Sequence, residues 1–137
     1  MNATLIAVLY LDDEVHNLTA FKASFRRLYN VYTAASAIEA REVLDSTDID
    51  IIITDQRMPV TSGIDFLKSI IPVFPKPVRI LLTGYTDTNT INDAINNGYV
   101  HKCIQKPWVE DELRSEIEKA YNLRSDDKDA LSVSHNV

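Results

Sequence analysis

Cysteine is nearly absent. Cys103 stands alone in 137 residues, which excludes an internal disulfide and a multi-cysteine zinc site. His16, His101 and His135 are scattered without ligand spacing, so they offer no metal motif of their own. Only three glycines occur, and none follows the first apolar run. A Gly-rich phosphate loop of the dinucleotide-binding kind is therefore missing, and no organic cofactor site is expected. Positive charge is short: 14 Lys and Arg face 20 Asp and Glu, for a net charge of -6. That balance argues against a basic surface gripping nucleic acid directly. The apolar run at residues 5–11 falls far short of the roughly 20 residues a membrane helix needs. It has no basic leader and runs straight into acids, unlike a signal peptide. No membrane contact is expected, and the cytoplasm is the expected compartment.

What is present is an ordinary globular mixture, 45% hydrophobic and 25% charged, which suits one domain able to bury a core without staples. The stretch Ile49-Asp50-Ile51-Ile52-Ile53-Thr54-Asp55-Gln56-Arg57-Met58-Pro59 organises it. Residues 49–53 are β-branched and almost wholly apolar, as in a central strand covered on both faces. The strand breaks at a carboxylate, Asp55, and Pro59 forbids an easy helical continuation. Residues 5–11 read as another buried strand, ending at Asp12-Asp13-Glu14. A helix follows over about 15–29, with Leu18, Phe21, Phe25 and Leu28 as its apolar stripe. After a short strand at 31–34, Ser36-Ala37-Ile38-Glu39 is a capping box. It opens a helix to about 46, with Ala40, Val43 and Leu44 inward. A third helix beyond Ser62-Gly63 carries Ile64, Leu67 and Ile71, and Pro72, Pro75 and Pro77 stop it.

Residues 78–82 form a fourth strand, stopping at Thr83-Gly84. Asp87 or Thr88 can cap the next helix, with Ile91, Ala94 and Ile95 on it, and Asn97-Gly98 suits its left-handed end. A weaker strand at 100–105 ends at Lys106-Pro107. The last helix starts in acids, Glu110-Asp111-Glu112, where the helix dipole favours them. Its stripe is Leu113, Ile117 and Tyr121. Residues 1–124 are expected to form the domain, and 125–137 a polar tail or the start of a linker.

This alternation predicts an α/β fold: a flavodoxin-like, doubly wound (βα)5 domain with a five-stranded parallel sheet in the order 2-1-3-4-5. Ligands bind such sheets at the carboxyl ends of the strands, beside the switch point. There the topology gathers Asp12, Asp13 and Asp55. Three clustered carboxylates repel one another unless a cation sits among them, and hard oxygen donors call for Mg²⁺. A carboxylate is a competent nucleophile toward a phosphoryl group. Thr83 and Lys106 end neighbouring strands and can supply a hydroxyl donor and an ammonium charge to phosphoryl oxygens. Pro107 leaves open a cis bond after the lysine. Singly, each residue has an ordinary explanation as a cap or a turn. Their conjunction at one sheet edge carries the functional case.

That conjunction resembles the receiver domain of two-component response regulators, in the CheY-like superfamily, over about residues 4–123. The resemblance rests on Leu11-Asp12-Asp13-Glu14, Thr54-Asp55-Gln56-Arg57-Met58-Pro59 with Gly63 beyond, Leu82-Thr83-Gly84, and Lys106-Pro107-Trp108. It implies that a sensor histidine kinase or phosphotransfer protein phosphorylates Asp55. It implies Mg²⁺ bound directly by Asp13 and largely through water by Asp12, with Asp55 and the Arg57 backbone carbonyl among its ligands. Thr83 and Lys106 would contact the phosphoryl group. The output surface would be the fourth helix, fifth strand and fifth helix, serving an effector domain or a homodimer, with Ile91, Tyr99 and Trp108 as candidate contacts. Such a switch is not an enzyme acting on a metabolite; only its own phosphorylation and dephosphorylation are expected. The wording around Thr83-Gly84-Tyr85-Thr86-Asp87 is similar to receivers attached to HD-GYP phosphodiesterases, cyclases or phosphatases.

Two local features qualify the likeness. Cys103 stands where receivers usually carry the aromatic partner of a Thr–aromatic switch, and it reads as a small packed residue rather than a redox centre. The expected consequence is that the signal leaves through the fourth helix as Thr83 moves. Arg57 and Tyr85 each lie two residues past a site residue and are expected to hinder attacking water, giving a long-lived acyl phosphate. The alternatives are a metal-dependent phosphohydrolase with an aspartyl-phosphate intermediate, a flavodoxin-like cofactor binder, and an interaction module independent of phosphorylation. A phosphohydrolase usually carries an acid two residues past its nucleophile, where Arg57 stands here.

Overall fold

Strands and helices alternate five times along the chain, as the pattern of apolar runs requires. The computed structural model describes residues 5–84 and 88–135, with side chains described up to residue 122. The strands are β1 (Ala7–Leu11), β2 (Asn30–Ala34), β3 (Ile51–Asp55), β4 (Val78–Thr83) and β5 (Lys102–Gln105). The helices are α1 (Val15–Phe25), α2 (Ala37–Ser46), α3 (Gly63–Ile70), α4 (Thr88–Asn96) and α5 (Glu110–His135). All strand pairs are parallel, in the order β2-β1-β3-β4-β5. That is the flavodoxin-like winding expected from the sequence.

The central strands β1, β3 and β4 are buried along their whole length, and the period-two pleat sorts their side chains to two faces. Val8, Tyr10, Ile51, Ile53, Ile80 and Leu82 pack with Phe21 and Phe25 of α1 and with Leu113, Ile117 and Ala120 of α5. Leu9, Leu11, Ile52 and Leu81 pack on the other face with Leu44 of α2, Leu67 and Ile70 of α3 and Ala94 of α4. Each large apolar side chain so buried contributes about 1.5–3 kcal/mol relative to exposure.

Several local expectations need adjustment. α1 ends at Phe25 rather than near residue 29. Leu28 is 39% exposed, and Tyr29 takes the buried place beyond the helix, because the turn after Phe25 rotates the chain off the helical period. In the capping box, Ser36 Oγ accepts from the Glu39 amide at 3.2 Å, but Glu39 accepts from Ala35 N–H at 3.1 Å rather than from Ser36. α3 stops one residue short of Ile71, and Phe66 and Ile70 fill the core beside Ile64 and Leu67. Ile95 of α4 is 40% exposed. The last helix, whose apolar stripe in the sequence reaches Tyr121, has a backbone that continues to His135. No Gly or Pro follows Pro107, so no residue in that stretch breaks a helix by its own propensity. Asp87, offered as a cap for α4, lies outside the described residues. Among the described residues, no helix is long and apolar enough to cross a membrane.

One polar residue inside the sheet has no counterpart in the sequence reading. Arg79 of β4 is only 5% exposed. Its guanidinium donates to the carbonyls of Tyr99 (Nε, 2.9 Å) and Gly98 (Nη2, 2.8 Å) at the end of α4. It also donates to the Pro77 and Pro75 carbonyls at 3.3 and 3.5 Å. Gly98 adopts φ +78° there, the left-handed turn that closes a helix. Burial pushes the Arg79 pKa down from its ordinary value, so the cation depends on these carbonyl dipoles. Arg79→Met should leave them unpaired and lower stability by about 2–3 kcal/mol. Urea unfolding measures this; a loss within error would remove Arg79 from the stabilising set.

Candidate functional site

Register brings the acids together. β1 and β3 pair with Leu11 opposite Thr54, so Asp12 and Asp55 emerge side by side at the carboxyl edge. Asp12, Asp13 and Asp55 each offer a carboxylate oxygen, and these oxygens lie within 4.8 Å of one another. Asp12 and Asp55 are buried, while Asp13 is exposed. The donors are all hard oxygens, and their like charges call for a counter-cation. The set therefore fits a small divalent ion such as Mg²⁺.

Asp12 is the most constrained of the three. Its Oδ2 accepts from Tyr10 Oη at 2.9 Å and Asn17 Nδ2 at 3.0 Å, and its Oδ1 accepts from the Glu14 amide at 3.0 Å. Its own amide donates to the Ala34 carbonyl, extending the β1–β2 ladder. Burial, reinforced by Asp12, pushes the Tyr10 phenol far above its ordinary value, so that hydroxyl stays a donor.

Asp55 ends β3 and is 5% exposed. Lys106 Nζ lies 2.5 Å from its Oδ1. Burial pushes the Asp55 carboxyl up, the Lys106 hydrogen bond and charge pull it back, and Asp12 and Asp13 push it up again. The net shift is upward. The connection behind Asp55 is tightly fastened. The Gln56 amide donates to the Leu82 carbonyl, and the Gly63 amide donates to the Gln56 carbonyl, both at 3.0 Å. Gln56 Oε1 takes the Ile64 amide at 2.9 Å, and Ser62 Oγ takes the Asp65 amide at 3.1 Å. Arg57 sits in this connection with its side chain exposed.

Thr83 ends β4, buried and paired in register with Gln105. The Lys106 amide donates to the Thr83 carbonyl at 2.8 Å, so the two expected phosphoryl contacts sit on adjoining backbones. The Lys106–Pro107 bond is cis. Trp108 packs 5.7 Å from Phe25 and 6.1 Å from Phe21, so it serves the α1–α5 core. Tyr99 is half-buried, with Lys68 Nζ 5.2 Å from its ring centroid, and Ile91 is half-buried. Cys103 is half-buried against the α3–α4 core, and burial pushes its thiol up, which suits an inert packed residue. Tyr85 lies outside the described residues.

The sequence reading named Asp12, Asp13, Asp55, Thr83 and Lys106, and all five occupy this edge. It missed Tyr10 and Asn17. Tyr10 reads as one more apolar strand residue, and only its hydroxyl, two residues before Asp12, hinted at a polar task.

An acidic crevice with a lysine at its rim, on a 2-1-3-4-5 parallel sheet, defines a flavodoxin-like α/β domain built around carboxylate chemistry. Residues 8–118 match the family model for the response regulator receiver domain, and the chain belongs to that family. It is a phosphorylation-dependent switch domain of two-component signalling. It is 37% identical over 113 residues to the hydrogenase transcriptional regulatory protein HoxA of Cupriavidus necator, covering 82% of this chain and 23% of that protein. A response regulator receiver domain protein from Clostridium thermocellum superposes with a TM-score of 0.81 at 31% identity, covering 88% of this chain and 98% of that one. The signal receiver domain of an HD domain-containing protein from Pseudomonas fluorescens Pf-5 gives 0.82 at 28% identity, covering 89% and 98%. The chain spans about a quarter of the length of the curated relatives it matches. The phosphohydrolase reading is not favoured, since the chain falls in a switch family and Arg57 stands where the second acid is needed.

Gly63 tests the rigidity behind the acceptor. A Cβ there would collide with the Asp55 carbonyl oxygen and sit 2.9 Å from Leu81 Cδ1. Gly63→Ala is expected to cost about 1–3 kcal/mol through overpacking, read as a lower urea midpoint. An unchanged midpoint would show that the backbone behind Asp55 yields freely.

Proposed function

We propose that Asp55 is the phosphoryl acceptor of this switch, with a phosphohistidine on a sensor kinase or phosphotransfer protein as donor. The observation that carries this is the Asp55 carboxylate set beside Lys106 and within 4.8 Å of Asp12 and Asp13. An oxygen of Asp55 attacks phosphorus, the donor's P–N bond breaks, and the electron pair leaves with the imidazole. The product is an acyl phosphate, later returned to water as inorganic phosphate. Lys106 offers an ammonium to the incoming phosphoryl oxygens, and Thr83 offers a hydroxyl. Asp12, Asp13 and Asp55 would hold Mg²⁺, with the Arg57 carbonyl completing the protein ligands. When bound, the ion offsets negative charge on the carboxylates and phosphoryl oxygens. The chemistry is confined to this self-modification.

The phosphorylated state then shifts a two-state balance, read by an effector domain or a second copy on the face of α4, β5 and α5. The curated relatives are named transcriptional regulatory proteins, which supports an effector that acts on transcription. The acidic balance of this segment suits a regulator of that effector better than a direct nucleic-acid contact. We assign residues 1–124 to the receiver, with 125–137 leading toward a linker, and place the domain in the cytoplasm.

Incubation with acetyl phosphate and Mg²⁺ should add one phosphoryl mass to the wild type and none to Asp55→Asn. Equal incorporation in the two proteins would overturn the assignment. By the receiver likeness the exposed Arg57, two residues past Asp55, would flank the path of attacking water, so Arg57→Ala should shorten the acyl phosphate lifetime severalfold. A decay rate no faster than wild type would refute that role.

A further inference from the structure

Tyr10 is a fully buried strand residue whose hydroxyl is spent on a site carboxylate. Its ring stacks on Phe21 at 4.4 Å and 14°, which fixes the plane of the phenol. Its Oη donates to Asp12 Oδ2, and Asn17 Nδ2 donates to the same oxygen. The Glu14 amide takes one position on Oδ1. A carboxylate has about four acceptor sites. Two donors on Oδ2 and one on Oδ1 leave a single spare lone pair, on Oδ1.

We propose, building on the reading of the acidic cup as a Mg²⁺ site, that Tyr10 and Asn17 are positioning residues that lock Asp12 so that only Oδ1 is presented to the cation, directly or through a water the ion retains. The lock selects for a small octahedral ion. Mg²⁺ demands near-ideal geometry and retains waters, whereas Ca²⁺ accepts more ligands in looser arrangements. A carboxylate free to rotate offers both oxygens and erodes that preference. Partners that orient a ligand from behind are typically worth about 10–100-fold in metal affinity.

The test uses the full chain and calorimetric titration with Mg²⁺ and with Ca²⁺. Tyr10→Phe keeps the ring on Phe21 and removes only the hydroxyl. It should weaken Mg²⁺ binding about tenfold with a much smaller loss for Ca²⁺, lowering the Mg²⁺-to-Ca²⁺ affinity ratio. Asn17→Ala should shift the ratio in the same direction. Phe21→Leu disturbs the stack but keeps the hydroxyl, so it should leave the ratio near wild type even if the fold is weakened. An unchanged ratio in Tyr10→Phe, or parallel losses for both ions in all three variants, would overturn the proposal. If the wild type binds Mg²⁺ but takes no phosphoryl group, the acceptor role of Asp55 fails and the lock stands. If the wild type binds neither ion, both fall.

Discussion

Repulsion among three carboxylates is the constraint around which the domain is built. Their nearest oxygens lie within 4.8 Å of one another, and two like charges at about that distance oppose each other by on the order of 3 kcal/mol at an effective dielectric of about 20. A chain free to relax would move them apart. Here it is not free, because Asp12 and Asp55 follow directly from neighbouring buried strands locked in parallel register. The apolar cores on both sheet faces supply the burial free energy that holds those strand ends in place. The site is thus a local conflict that the rest of the fold sustains, and a cation or the Lys106 ammonium relieves it. That makes its balance easy to shift by adding or moving one charge.

The two sides of the cup are supported differently. On the β1 side Asp12 is held by a phenol, an amide side chain and a backbone amide, behind which lies an aromatic stack reaching from Tyr10 through Phe21 to Trp108. On the β3 side Asp55 is held by its backbone, which Gln56 and Gly63 stitch to β4 and α3. Its carboxylate touches a half-buried lysine on a long flexible stem. Asp12 is therefore a fixed electrostatic wall, whereas the surroundings of Asp55 can reorganise. That asymmetry would suit the proposed acceptor role of Asp55, since it pairs a stationary charge frame with one partner able to follow new oxygens.

The sheet order and the gathering of Asp12, Asp13 and Asp55 were legible in the sequence, because both depend on patterns that a linear chain displays. Apolar runs mark the buried strands, and strand tips follow from where those runs break. What stayed hidden depends on single atoms or on exceptions to the pattern. Tyr10 has the hydrophobic profile of its neighbours, and nothing in a period-two reading shows where a hydroxyl points. Arg79 sits in a buried strand where charge is costly, and carbonyls from two separate loops, at Gly98 and Tyr99 and at Pro75 and Pro77, explain it. Helix ends were missed for the same reason. Leu28 keeps the helical spacing after the helix has stopped, and α5 continues after its apolar stripe has run out.

These features bear on how a change at Asp55 leaves the domain. Cys103 is smaller than an aromatic ring and packs against the α3–α4 core, so the fifth strand has no aromatic side chain to swing. α4 is the element best able to respond. Ala94 is its one buried residue among those described, and its start lies a few residues beyond Thr83. Its other end is tied down by the Arg79 guanidinium through Gly98 and Tyr99. If Asp55 is phosphorylated as proposed, a movement of Thr83 toward it would be converted into rotation of the α4 face about the Arg79 anchor, with no need for the ring flip that Cys103 forgoes.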